Sequence, residues 1–372
     1  MSKKYSYIII SIFCLFIFGI SVLSLLLPEK EFSELENRYL ASAPDFSVDS
    51  VMNGAFMKGA ENYVSDHIAF RDKWVQGKAL FERLSGKKEN EGIYFAEDST
   101  LIKRIDTPDE GQLEKKISYV NELKKNAGVP VYFGLIPTAA EVWGDKLPKN
   151  APTADEKSII EKLYSISEAE NIDVAEALDG HRDEEIFYRT DHHWTSLGAY
   201  YGACAVFEKM GIQQLNIEDY EQKTVSDSFY GTLYSTSGAG WIEPDRIDTY
   251  VRNDNAEVFS YSGKETVKTG LYDESFLAKK DKYSYFMGGN KPLAVVKTQN
   301  SELPKLLLIR DSYSDSLVPF LTERFSEIHM IDLRYNKSSI KDYIEENSID
   351  TVLVLYGFST FAESGDLFLL GN

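Results

Sequence analysis

Two short segments carry residues whose types suit nucleophilic catalysis. Ser312 follows the apolar run Lys305–Ile309 and the pair Arg310-Asp311. The run predicts a buried strand, and Ser316–Phe325 predicts a helix just beyond it. Ser312 is thus expected at a strand's carboxyl end near a helix N-terminus, where backbone N–H groups can hold an oxyanion. A Ser/Asp turn at such a place is also a common helix cap. A lone serine is a weak nucleophile and needs a base. The second segment, Thr190-Asp191-His192-His193-Trp194-Thr195-Ser196, holds two of the five histidines. In an extended loop residues i and i+2 share a side. Asp191 is then expected to orient His193, with His192 pointing away. Asp191, His193 and Ser312 together have the types of a catalytic triad.

Other readings of these residues stay open. Asp191 and the two histidines fit an exposed Asp turn, and Asp and His are also zinc ligands. No further His or Cys cluster completes a metal set, and no Walker loop or dinucleotide fingerprint is present, so neither metal nor cofactor is expected. Gly288-Gly289-Asn290 offers a backbone N–H at Gly289 and a side-chain amide at Asn290 for an oxyanion, or a simple turn. His192, Trp194 and Arg310 are further candidates for substrate contact. Tyr230, Tyr234 and Trp241 lie in a Gly-rich stretch and are placed to stack on sugar rings or to fill a core. Asp311 reads as a turn-fixing residue.

The elements that must position these groups follow an α/β rhythm. Helices are expected at Glu110–Asn126, Asp155–Asn171, Ser196–Met210 and Ser338–Asn347. Strands are expected at Val129–Ile136, Ile172–Ala175, Lys305–Ile309, Ile328–Leu333 and Thr351–Leu355. Such alternation predicts a mostly parallel sheet covered on both faces, with ligands beyond the carboxyl ends of its strands. Residues 213–300 break the rhythm and read as an insertion of loops and short strands over the site. Residues 50–85 read as helical.

Composition narrows the function classes. The chain has 372 residues, is 43% apolar, and carries a net charge of −19. Such a surface repels phosphates, so nucleic acid is not an expected partner. Cys14 and Cys204 lie in separate apolar settings, and no disulfide is expected. Lys3 and Lys4 precede an uncharged apolar run over residues 7–27. About 20 helical residues span a bilayer core. The run ends in Ser-Leu-Leu-Leu-Pro without a small-residue cleavage site, and reads as an uncleaved signal anchor rather than a cleaved signal peptide. The lysines keep the tip inside and place the body outside the cytoplasm. The organisation expected is a tip and anchor over 1–28, a membrane-proximal linker and helical segment over 29–90, and a catalytic domain over 91–372.

The tetrapeptide Asp191-His192-His193-Trp194 matches the signature of the DHHW protein family, which is similar to the alginate O-acetylation proteins of the SGNH hydrolase-like group. Glu36-Asn37-Arg38-Tyr39-Leu40 resembles that group's membrane-proximal motif. Tyr63, Asp66, His67, Phe70, Arg71 and Asp72 resemble its next motif, with Asp66, His67 and Arg71 read as a structural ion cluster. Pro137 after the first strand fits as well. The resemblance implies an SGNH-like three-layer fold, with Asp191 and His193 as the Asp-x-His pair and Ser312 as nucleophile. It implies an extracytoplasmic O-acyltransferase acting on a cell-surface polysaccharide, with the acyl donor supplied by a membrane-bound O-acyltransferase. A carbohydrate acetylesterase and a catalytically silent polysaccharide-binding protein are the alternatives. Arg310-Asp311-Ser312 departs from the usual Gly-Asp-Ser and puts a bulky cation beside the nucleophile.

Overall fold

The computed structural model describes residues 3–33, 35, 36, 38–252, 255–262 and 265–371. Two compact units are present: Met1–Asn90 with Tyr234–Trp241, and Glu91–Leu233 with Ile242–Asn372.

The first unit opens with helix α1 (Lys3–Leu26). Residues Lys4–Leu26, in which an 18-residue stretch reaches a mean hydropathy of 2.8, are long and apolar enough to cross a membrane, a property that a signal sequence shares. Helices α2 (Ala55–Asp66) and α3 (Arg71–Leu84) follow. The two membrane-proximal motifs meet here. Asp66 accepts from Arg38 at 2.9 and 2.5 Å and from the Ala41 N–H at 2.8 Å. Arg71 bridges Glu36 at 2.9 Å. The hydrogen bond from Arg38 holds the Asp66 carboxyl down at about 2, against the effect of burial. His67 departs from the expected cluster. It stacks on Tyr63 at 4.4 Å and bonds the Tyr63 and Lys30 carbonyls. Asn37 lies outside the described residues.

The second unit is built on one eight-stranded sheet. Its strands in chain order are β1 (Val131–Ile136), β2 (Glu170–Ile172), β3 (Glu257–Ser262), β4 (Glu265–Thr269), β5 (Leu293–Lys297), β6 (Lys305–Arg310), β7 (Glu327–Ile331) and β8 (Thr351–Gly357). They lie in the order β4-β3-β5-β7-β6-β8-β1-β2. The five strands from β7 to β2 are parallel. Leu306 to Ile309 of β6 are fully buried, as a continuous apolar run covered on both faces requires.

The sheet is mixed, with its parallel strands in the majority. Strands β3, β4 and β5 add antiparallel to one side through β5 against β7. All three come from the stretch expected to hold loops and short strands. In β3, Val258 and Ser260 are buried while their neighbours are not, the alternation of a strand near an edge. The stretch also forms the hairpin Glu221–Phe229 with Asp245–Val251. Two further expectations shift. Residues 170–172 form β2, and Val174–Asp179 is helical, capped by Asp173. The helix expected over 316–325 is reduced to a 3-10 turn at Ser312–Asp315 and one turn at Val318–Leu321.

Helices α4 (Glu110–Asn126) and α5 (Ser196–Met210) show why the rhythm was readable. Asp109 caps α4, which buries Leu113, Ile117, Val120 and Leu123 at helical spacing. Thr195 caps α5, and Gly211 at φ +67° ends it. Beyond β1, Glu156 is fully buried and accepts from the Thr138 N–H at 2.9 Å and hydroxyl at 2.5 Å. Burial pushes its carboxyl up from 4.5 to about 7. The fold therefore favours the protonated form. That contribution is complete below pH 4.5 and is lost as pH rises through about 7. The loss is of order 3 kcal/mol at most. Glu156→Gln is expected to remove this slope from melting temperatures recorded across pH 4–8. An unchanged slope would assign the pH dependence elsewhere.

Candidate active site

Residues 186–195 form a tight loop. The Tyr188 N–H donates to the His193 carbonyl at 3.2 Å, and the Thr195 N–H to Ile186 at 2.9 Å. The buried carboxylate of Asp245 fastens its base, accepting from the Thr190 N–H at 2.7 Å and the Thr190 hydroxyl at 2.6 Å. Asp191 closes an Asx turn: its Oδ1 accepts from the His193 backbone N–H at 3.0 Å. The same Oδ1 lies 2.6 Å from His193 Nδ1. Opposite, His193 Nε2 is 2.8 Å from Ser312 Oγ. The three side chains thus form one hydrogen-bonded chain, with His193 and Ser312 separated by 119 residues of sequence. Asp191 and His193 are buried, and Ser312 is partly exposed at the open end.

The pairing does not come from an extended loop. The turn keeps His192 close, its ring 3.9 Å from that of His193. His192 Nδ1 bonds the Thr232 hydroxyl at 2.8 Å and lies 3.6 Å from Asp191 Oδ1. His192 therefore flanks the site instead of pointing away.

Asp191 is held by groups that its own segment does not reveal. Its Oδ2 accepts from the Thr232 N–H at 2.7 Å and hydroxyl at 3.0 Å. Burial alone would raise its pKa. The two imidazoles, the His193 hydrogen bond and the Thr232 N–H outweigh burial and keep it ionised, well below the usual carboxylate range. Gly231 makes this approach possible. A Cβ there would lie 2.2 Å from Asp191 Cβ. Tyr283 stacks on His193 at 3.8 Å and 8°. Its hydroxyl reaches the Ser312 carbonyl and Ser316 Oγ, both at 3.1 Å. Gly231, Thr232 and Tyr283 all come from the insertion, where no spacing relative to Asp191 marks them in the sequence.

The nucleophile side is equally fixed. Asp311 accepts from the Tyr313 N–H at 3.1 Å and the Gly357 N–H at 2.9 Å, tying the turn to the end of β8. Trp194 is fully buried and donates to the Tyr313 carbonyl at 2.9 Å and Ser316 Oγ at 3.1 Å. It clamps the histidine loop to the serine turn and presents no face for substrate. Arg310 does not displace the turn. Its guanidinium is buried, 3.0 Å from Asp315 Oδ1, and donates to Asn290 Oδ1 at 3.1 Å and the Asp311 carbonyl at 3.2 Å. The cation is neutralised behind the serine. Burial outweighs Arg310's attraction and lifts the Asp315 carboxyl to about 6.

Of the remaining candidates, Gly288 and Gly289 adopt φ +71° and +79°, a turn that demands glycine. The Gly289 N–H donates to the Phe286 carbonyl at 3.4 Å. Asn290 is exposed, with its oxygen on Arg310 and its NH2 left for another acceptor. Tyr234 belongs to the first unit. Its ring is buried and its hydroxyl lies 3.4 Å from Gln76 Nε2, so it is not displayed for a sugar. The donor atoms of Asp191, His192 and His193 gather within 4.8 Å. A metal taking one His193 nitrogen would displace that nitrogen's bond to Asp191 or to Ser312.

The fold recurs in solved structures. A DHHW family protein from Eubacterium siraeum shares 26% identity at a TM-score of 0.67, covering 76% of this chain and 96% of that one. Bacillus cereus PatB1, solved with a sulfonyl adduct, shares 21% identity at a TM-score of 0.62, covering 75% and 98%. A search of curated protein sequences gives no significant match. The sequence profile of the DHHW protein family matches residues 114–331, a span that holds Asp191, His193 and Ser312. With that profile covering more than half its length, the chain belongs to the DHHW protein family.

Proposed function

We propose that this chain is an O-acyltransferase, acting with acetyl groups on a cell-surface or exported polysaccharide through an acyl-serine intermediate. The observation that carries the reading is the hydrogen-bonded chain Asp191–His193–Ser312, buried at the carboxylate and open at the hydroxyl. His193 Nε2 takes the Ser312 proton as Oγ attacks the acyl carbonyl. The bond to the donor oxygen breaks, and His193 returns the proton to that leaving oxygen. A sugar hydroxyl then gives its proton to His193 and attacks the acyl-serine; the bond from the acyl carbon to Ser312 Oγ breaks, and His193 returns the proton to Oγ. Asp191 holds the tautomer throughout. The Ser312 N–H and the Asn290 amide are the proposed oxyanion donors. In this reading the second unit is the catalytic domain, of SGNH-like three-layer type. Residues 1–28 are the tip and anchor, and residues 29–90 are the membrane-proximal segment. The body lies outside the cytoplasm, taking acyl groups from a membrane-bound O-acyltransferase.

Water in place of the sugar hydroxyl makes the same site an acetylesterase, and acetate release against transfer to an oligosaccharide separates the two. A catalytically silent polysaccharide-binding protein is the rival of another class. A fluorophosphonate or sulfonyl fluoride is expected to label the wild-type chain once, at Ser312. Ser312→Ala and His193→Ala are expected to lose that labelling while still melting cooperatively. A folded wild-type chain that resists the probe would overturn the enzymatic reading.

A further inference from the structure

Helix α3 presents two different faces. Ala79 is fully buried, Val75 packs against Gly238 and Gln76 against Gly240, so this side belongs to the interior of the first unit. Trp74, Gly77, Phe81 and Leu84 lie on the other side. At about 100° per residue they share an arc of roughly 80°. Trp74 is 46% exposed, Phe81 71% and Leu84 79%, and Phe70 continues the stripe at the N-cap. A row of large apolar side chains facing outward at helical spacing is not a feature that water selects. Lys73 and Lys78 border it, one on each flank. They belong to a chain whose net charge is −19.

The stripe's position indicates what covers it. The Ala69 N–H, just before α3, donates to Ser24 Oγ of α1 at 2.8 Å. Five residues on, the Trp74 ring meets Phe16 of α1 edge-on at 5.9 Å. The helix thus runs beside the apolar segment that is long enough to cross a bilayer. Phe16 lies about 12 Å further along α1 than Ser24, so where α1 is in lipid the start of α3 lies within the same leaflet. We infer that α3 is an interfacial helix that lies in the leaflet on the C-terminal side of α1. Trp74, Phe81 and Leu84 enter the acyl-chain boundary, and Lys73 and Lys78 reach out to lipid phosphates. Lysines on both edges of an apolar face snorkel in this way. The arrangement gives the first unit two attachments to the membrane and fixes its height above it. The inference rests on the reading of α1 as a retained anchor and is independent of the acyl-transfer reading.

The test uses the full chain with Cys14→Ala and Cys204→Ala, reconstituted in vesicles of phosphatidylglycerol and phosphatidylcholine. A single Phe81→Cys or Leu84→Cys carries an environment-sensitive fluorophore. Lipids with a nitroxide on the acyl chain are expected to quench most of its emission, and aqueous iodide little of it. Carbonate washing checks the anchor separately. Protein that stays with the vesicles while iodide quenches the label and the nitroxide lipids do not would overturn the interfacial helix but leave the anchor standing. Protein released by carbonate would overturn both. A label shielded only in native membranes, and open to iodide in pure lipid vesicles, would assign the stripe to a protein partner and overturn the lipid reading.

Discussion

His193→Ala is expected to lower kcat/KM on an acetyl ester by about 10²–10⁴-fold or more, the contribution of a general base. That range corresponds to about 3–5 kcal/mol of transition-state stabilisation. Ser312→Ala, which leaves no oxygen to carry the acyl group, is expected to leave no acyl turnover. His192→Ala is the informative partner. Its ring is in the same tetrapeptide and lies 3.9 Å from that of His193. Its Nδ1 faces the Thr232 hydroxyl, and among the described residues it makes no bond to Ser312. Its backbone carbonyl, which accepts from the Tyr313 hydroxyl, survives the substitution. A far smaller loss is expected, confined to the support that Thr232 gives Asp191. All three variants should be compared by kcat/KM with melting curves as controls. An inactive, folded His192→Ala beside an active His193→Ala would reassign the base and dismantle the chain of hydrogen bonds proposed to work here.

Arg310 gives the silent-protein reading its best sequence argument, and its surroundings weaken that argument. A cation in place of glycine would be damaging if it faced the nucleophile. It is instead turned back into the fold against Asp315 and Asn290, and Ser312 Oγ remains 2.8 Å from His193 Nε2. A buried pair of this kind is costly to break from one side only. Arg310 is therefore read as part of the turn's support and not as a substrate contact.

What was legible in the sequence is what short-range patterns encode. Helix α5 runs over Ser196–Met210 as its cap residue Thr195 and its terminal Gly211 signal. Strand β6 follows from an uninterrupted apolar run, and the serine turn after it from the Asp-Ser pair. The adjacency of the Asp191 and Ser312 segments is another matter. No periodicity links residues so far apart; complementary residue types suggested the pairing and the resemblance supported it. The insertion was least legible. Strands β3 and β4 are half exposed and rich in Ser, Thr and Glu, so polarity masked their pairing. The helix expected after Ser312 fails for a local reason. Asp311 caps Tyr313 in a 3-10 turn, and Pro319 sits at the start of the single α-turn that follows. The extended-loop premise fails because the Asp191 carboxylate captures the His193 N–H and turns the chain. The residue pair was readable from its types, but the path that brings the two together was not.

Gly231 supplies the sharpest test of Asp191, because it touches no candidate substrate group and carries no side chain of its own. An added Cβ would sit 2.2 Å from Asp191 Cβ and 2.4 Å from its Oδ2. No rotamer relieves that contact, since Oδ1 is bound to His193 and Oδ2 to Thr232. Either the carboxylate or the Gly231–Thr232 backbone must move. Overpacking of this kind costs about 1–3 kcal/mol of stability. The functional cost is expected to be larger in proportion, since a displacement near 1 Å in a reacting constellation is worth about 10²-fold. Gly231→Ala is therefore expected to lose about 10²-fold, less than Asp191→Asn, for which other triads suggest a loss near 10⁴-fold in kcat. Thr232→Val, which removes the hydroxyl but keeps the N–H bond to Oδ2, is expected to fall well short of both. The proton on His193 Nδ1 gives a readout that mere destabilisation would not move. Its downfield NMR resonance should be present in the wild type and in Thr232→Val, and absent or shifted upfield in Gly231→Ala and Asp191→Asn. If Gly231→Ala folds, keeps the wild-type resonance and retains full kcat/KM, then Asp191 does not govern the imidazole, and the orienting role assigned to it is wrong.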